Sequence, residues 1–187
     1  MWHTGSGTGA WSRTYMIVGG IAALNDAGGS GVSGVIKNCV NYGTIKGNKR
    51  ADDSVSLNGV VGAIAGLSNN AGNEIVDCYW RTNCVYSNTS TGTAATDNLN
   101  WMLCKASNST SAVRAGTFTG NGSFAANNNG TLTAASADDA GTAQTLQYGT
   151  NLLTALNSFV SDNPDDGICE WKSGSSYAAI PECFSDD

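Results

Sequence analysis

At 187 residues the chain is long enough for one domain or two small ones. Only 13% of its residues are charged, against roughly 25% in ordinary globular domains. The net charge of −6 argues against a nucleic-acid surface and a polybasic membrane contact, and no run approaches the ~18 apolar residues of a membrane span.

Glycine is abundant, at 24 residues, and proline is scarce, at two. Asn, Ser, Thr and Ala fill much of the remainder. This composition suits short strands joined by tight turns and leaves little material for long amphipathic helices.

Residues 1–16 are Gly, Ser and Thr around Trp2 and Trp11, and read as loop or as an incomplete first element. "GSGTG" (Gly5 to Gly9) lacks the following lysine and the strand-to-helix setting of a phosphate loop. The opening has no apolar h-region, so no signal peptide is read in this chain.

Residues 17–86 say one thing twice. "VGGIAALN" (Val18 to Asn25) matches "VGAIAGLS" (Val61 to Ser68) at an offset of 43 residues. "VIKNCVNYGTI" (Val35 to Ile45) matches "EIVDCYWRTNC" (Glu74 to Cys84) at an offset of 39. The difference falls in the Gly/Ser/Asn-rich connectors, where surface loops accept insertions. Each copy reads as an apolar strand, a loop, an alternating strand, a turn and a third strand. Alternation puts Ile36, Asn38, Val40 and Tyr42 on one face, with Lys37, Cys39 and Asn41 on the other. The glycines of "VGGIA" and "VGAIA" permit a bend or close backbone approach. A unit this small buries its apolar face only by stacking on a copy of itself. Cys39 and Cys78 occupy equivalent positions and are expected to form a ladder of buried thiols in the repeat core, with a disulfide between them as the alternative.

These residues carry a resemblance. "VGGIAAL…VIKNCVNYGTIKG…VVGAIAGL…EIVDCYW" resembles the GLUG-type repeats of bacterial surface and adhesin-like proteins. The second copy departs from the pattern: Trp80-Arg81-Thr82 stands where the first has Asn41-Tyr42-Gly43, as in a terminal repeat. The resemblance implies a β-solenoid and an extracellular setting, and it implies no catalytic residues.

Residues 87–147 are low in complexity and read as largely irregular, with short strands such as "AGTFTG" and "GTLTAA". "NLNWMLC" (Asn98 to Cys104) is placed over the end of the stack. Residues 149–163 give the clearest helix, with Leu152, Leu153, Leu156, Phe159 and Val160 at helical spacing. Thr150 is the expected N-cap and Asn163-Pro164 the stop. The helix is expected to cap the open end of the stack. "GICEWKSGSSYAAIPECF" then reads as two short strands around a turn.

Six cysteines without a CxxC pair, and a single histidine, His3, disfavour a zinc site and fit a disulfide framework. Cys169 and Cys183 flank the tail and are candidate disulfide partners, as are Cys84 and Cys104. Asn88, Asn108, Asn121 and Asn129 head Asn-x-Ser/Thr sequons and are candidate glycosylation sites. Cysteines and sequons together point to an extracellular compartment.

Catalysis finds little to work with. His3 has no evident partner for nucleophilic chemistry. Asp77 and Arg81 are the nearest approach to the carboxylate–arginine face of a polysaccharide-acting β-helix enzyme, and a solvated strand face is the plainer reading. "DNPDDG" (Asp162 to Gly167) has calcium-loop character but lacks the spacing of an EF-hand. Tyr79, Trp80, Trp101, Trp171 and Tyr177 are aromatic enough to stack on sugars, or to pack a junction.

The expected protein is mainly β. A solenoid of about two coils occupies residues 1–95, and an Asn/Thr/Gly-rich region with a helix-containing cap occupies 96–187. The expected function is non-catalytic: an extracellular structural or adhesion protein, without a cofactor or metal. It would self-associate or join other surface-protein subunits, as in a fibre. Glycan binding, or descent from a polysaccharide-acting enzyme, is the alternative.

Overall fold

The computed structural model describes residues 17–25, 32–48, 60–88, 97–99, 102–103, 114–125 and 130–183. The fold is mainly β, with its strands in five small sheets among the described residues. Strands β1 (Ile17–Gly19), β2 (Ala22–Asn25), β3 (Val35–Lys37), β4 (Val40–Asn41) and β5 (Ile45–Asn48) form a first tier. A second tier comprises β6 (Val60–Gly62), β7 (Ala65–Val76), β8 (Tyr79–Arg81) and β9 (Val85–Asn88).

The tiers pair in parallel along their whole length. Ile17 faces Val60, Ala22 faces Ala65, Val35 faces Glu74, Val40 faces Tyr79 and Ile45 faces Val85. The first four registers reproduce the 43- and 39-residue offsets of the sequence repeat, and β5 pairs one residue further on, Ile45 facing Val85 rather than the aligned Cys84. The bend in each first strand needs glycine: a Cβ on Gly62 would lie 1.9 Å from the Ala65 carbonyl oxygen, and one on Gly19 would lie 1.8 Å from that of Ala22.

A third tier follows, beyond the two copies read from the sequence. β10 (Asp97–Leu99) turns back antiparallel on β9. Leu103 then bridges Ala65 in parallel, β11 (Arg114–Thr119) lies parallel to β7, and β12 (Gly122–Phe124) lies parallel to β8. Sequence comparison misses it because only "TFTGNGSF" keeps the pattern, with Asn121 where the earlier copies have cysteine.

The corner between the second and third strands explains the pattern that all three tiers share. Asn38, Asp77 and Gly120 stand in register there, with φ of 50°, 48° and 73°. Asn, Asp and Gly are the residues that enter this left-handed region most readily. The backbone ladder continues through the corner: the Asn38 N–H donates to Val76 O at 3.1 Å, and the Asp77 N–H to Thr119 O at 2.9 Å.

The corner also reverses the alternation expected from the sequence. Ile36 and Cys39 both pack against the core between the tiers, whereas Val40 and Tyr42 pack under the C-terminal region. Simple strand alternation fails because one left-handed residue re-aims everything after it.

Two cores result. The one between the tiers contains Val61, Ile64, Ile75, Cys78, Trp80, Cys84, Val85, Met102 and Leu103. The other lies on the β4–β8–β12 face. It contains Tyr79, Phe124 and Leu132 with Leu152, Ala155 and Leu156 of the C-terminal helix.

The far side of the third tier is closed by β13 (Leu132–Ala134), antiparallel to β12, and by the single-turn helix α1 (Ala137–Ala140). A Ser136–Asp139 capping box starts α1, and the Met102 N–H donates to Asp139 O at 2.9 Å. Helix α2 (Leu152–Asp162) is capped by Asn151, whose side chain accepts the Thr154 N–H, rather than by the expected Thr150. Its stop is as expected: Asn163 follows it and a short 3₁₀ turn begins at Pro164. The helix lies along the side of the stack rather than over its end, because its buried face meets Tyr79 and Phe124 together with the partly buried Val40 and Tyr42.

Strands β14 (Trp171–Lys172) and β15 (Ile180–Pro181) then form the expected antiparallel hairpin. The hairpin ties helix to tiers. Asn157 of α2 exchanges two 2.8 Å hydrogen bonds with the Trp171 backbone, and the Tyr42 hydroxyl exchanges two 2.9 Å bonds with the Ala179 backbone.

Candidate functional site

The interior of the stack carries polar side chains that serve the backbone. Asn41 donates to Ala63 O at 2.8 Å and accepts the Gly43 N–H at 2.7 Å. Asn73 donates to Asn25 O and to Ser68 Oγ, and accepts the Gly34 N–H at 3.0 Å. Asn121 accepts the Cys78 N–H and donates to Ile75 O, both at 2.9 Å. Each of these three amides satisfies backbone groups left over where strands turn, whereas Asn38 is buried at its corner with neither side-chain polar atom partnered.

Asn121 is therefore no glycosylation site in this fold. It is fully buried and its Nδ2 is already engaged with Ile75 O and Gln144 Oε1. Asn108, Asn129 and the side chain of Asn88 lie outside the described residues.

Cys39 and Cys78 stand in register one tier apart, as free thiols. Cys78 donates to Val76 O at 3.3 Å, and Cys39 to Lys37 O at 3.2 Å. Burial holds the Cys78 thiol well above its usual range, while its hydrogen bond to Cys39 draws the Cys39 thiol down. Cys84 is buried and its thiol is pushed up to about 11 by burial, which leaves it un-ionised and inert at neutral pH. Cys104, its candidate partner, lies outside the described residues. Cys169 and Cys183 carry free thiols close together: the Cys183 N–H donates to Cys169 Sγ at 3.1 Å.

The Asp77–Arg81 pair does not assemble. Asp77 is wholly buried, accepts the Tyr79 hydroxyl at 3.3 Å, and has its carboxyl raised to about 6 by burial. Arg81 donates instead to Thr44 Oγ1 at 2.7 Å near the surface. Of the aromatic candidates, Tyr79 and Trp80 are core residues, and Trp101 lies outside the described residues, as does His3. Trp171 is half-buried, and Tyr177 is exposed and packs on Tyr42 with ring centroids 4.8 Å apart. No cluster of possible metal ligands occurs among the described residues, and Asp166 of the acidic turn pairs with Lys37 at 2.7 Å.

What the fold does present is an edge. Each first-tier strand is hydrogen-bonded along one side only among the described residues, to its second-tier counterpart. Among the described residues, four of the five exposed large hydrophobic side chains lie on this tier: Ile21, Leu24, Val32 and Val35. Ile21 is 43% exposed, whereas its counterpart Ile64 in the next tier is fully buried. The repeat was legible in the sequence; its one-sided exposure was not, because the two copies are nearly identical there. A cavity of about 310 Å³ beside Phe118, Thr119 and Gly120, walled by Thr142, Gln144 and Gln147, is the other concavity of note.

Comparison with protein-family models, with curated proteins and with solved structures finds no match to this chain. No helix among the described residues is long and apolar enough to cross a membrane.

Proposed function

We propose that this chain is a non-catalytic extracellular structural or adhesion protein, a short β-solenoid of the GLUG type, and that a second copy docks on its first-tier edge to build a surface fibre. The observation that carries this reading is the confinement of Ile21, Leu24, Val32 and Val35 to a tier whose strands are paired on one side. Such an edge accepts another strand set, and the parallel registers between the tiers support the solenoid reading. The first-tier edge is unlike the far end of the stack, where β13 and α1 lie against the third tier. A repeated contact between unlike surfaces produces a filament.

Light scattering of the purified chain across concentration tests this. The expected result is growth into long particles, suppressed by Leu24→Lys with Val35→Lys. A monomer at every concentration overturns assembly through this chain alone.

A glycan-binding module is the second reading, favoured by exposed Tyr177 packed on Tyr42 and by half-buried Trp171 in the same C-terminal hairpin. It predicts a change in tryptophan fluorescence on glycan titration, lost in Tyr177→Ala. Descent from a polysaccharide-acting enzyme draws less support, since Asp77 is interior and Arg81 is turned to Thr44.

A further inference from the structure

We propose that Cys169 and Cys183 are joined by a disulfide that locks the C-terminal hairpin as a clamp across the molecule. The inference stands on the hairpin and does not depend on the assembly reading.

The register carries it. Trp171 faces Pro181 and Lys172 faces Ile180, so two positions further out Cys169 faces Cys183 directly. The intervening pair is closed by Glu182 N–H donating to Glu170 O at 2.7 Å. Directly opposed residues on antiparallel strands hold their Cβ atoms about 4.5–5.5 Å apart, a small adjustment from the ~3.8 Å of a disulfide. The Cys183 N–H already rests on Cys169 Sγ at 3.1 Å. Cys183 is exposed and Cys169 partly so, whereas Cys39, Cys78 and Cys84 pack in the core between the tiers. Among the described cysteines, then, this pair is both opposed and open to solvent.

The hairpin between them has a mechanical role. Its first strand holds α2 through Asn157, and Ala179, just before its returning strand, holds the first tier through paired bonds with Tyr42. Closing Cys169 to Cys183 fixes both arms in one covalent loop.

The oxidant is a low-molecular-weight disulfide. One of the two cysteines attacks as its thiolate and displaces one small thiol, forming a mixed disulfide. The other then attacks that cysteine's sulfur and displaces the second. Two protein thiols and one disulfide become one protein disulfide and two small thiols, with the electrons passing to the leaving sulfurs.

The test equilibrates the full chain in oxidised and reduced glutathione, quenches by alkylation, and maps the linkages without reduction. The expected product is Cys169–Cys183. Half-oxidation is expected at an oxidant ratio about tenfold lower than for the same chain in urea, a difference of about 30 mV for a two-electron couple. Hydrogen exchange should show slower exchange of the Ala179 amide in the oxidised chain and not in Cys183→Ser under the same oxidant. Thiols that stay alkylatable, or a link from either cysteine to Cys104 or Cys84, overturn the pairing. A Cys169–Cys183 link that leaves Ala179 exchange unchanged overturns the clamp.

Discussion

Ile21 and Ile64 occupy the same place in two nearly identical phrases, "VGGIAAL" and "VGAIAGL". The Ile21 N–H donates to Ile64 O at 3.0 Å, and the Ile64 N–H donates to Met102 O at the same distance, so the backbone repeats as well. Yet Ile64 is fully buried and Ile21 is 43% exposed. What separates them is a neighbour. Ile64 has a tier on each side, whereas Ile21 has one on a single side among the described residues. The opposite end of the stack is treated differently again, with β13 and α1 laid against the third tier. In a stacked architecture, burial belongs to the place in the stack rather than to the local phrase.

The sharpest way to break this comparison is to truncate both isoleucines. Ile64→Ala should destabilise the fold by about 3–4 kcal/mol in urea denaturation, because it opens a cavity between packed tiers. Ile21→Ala should cost less than about 1 kcal/mol in dilute monomer, since water already reaches its side chain. Equal losses would mean that Ile21 is buried in solution.

The corner residues extend the comparison from the second tier to the first. Asp77 is buried with Oδ2 unpartnered, and burial raises its carboxyl to about 6. A carboxyl raised in the fold binds its proton more readily there than in the unfolded chain. Its contribution is fully present below about pH 4 and is lost as the pH rises through about 6, a change of about 3 kcal/mol. The groups around it, Tyr79, Cys78 and Tyr148, are themselves raised by burial and stay neutral in that window. Asp77→Asn installs the residue that the first tier already has at Asn38. It should flatten the decline between pH 4 and 7 and raise the melting temperature at pH 7.5. An unchanged pH profile would show that Asp77 is ionised without penalty.

Gly120 is the third member of that corner. A Cβ there would lie 2.1 Å from Asp77 Oδ1 on a left-handed backbone, so Gly120→Ala should cost about 2–3 kcal/mol. Asp77→Gly in the same chain should recover part of that loss, since it removes the clash and leaves the backbone strain. The smallest expected effect is at the helix. Asn151→Ala should cost about 1 kcal/mol, and Thr150→Ala should fall within measurement error.

Much of this architecture was legible. The repeat offsets are the registers of the first four strands, because stacked tiers must align equivalent residues, and only β5 slips by one. The helix emerged from its 3.6-residue spacing, and the tail hairpin from apolar runs around a glycine turn. The third tier is not legible as a copy because Gly120 and Asn121 satisfy the corner and its backbone with side chains unlike those of the earlier copies. Thr150 and Asn151 are both competent caps by residue type, and only the chain path decides for Asn151.

By itself, the sequence determined that this chain is β-rich, that one unit recurs, and that a single amphipathic helix follows it. These follow from composition and periodicity, which act locally. The tertiary structure decided which copy faces water, that the helix lies on the flank, that Asn121 is interior, and that Cys169 opposes Cys183. Each of those depends on which surface a segment meets, and two segments with the same local chemistry can meet different surfaces.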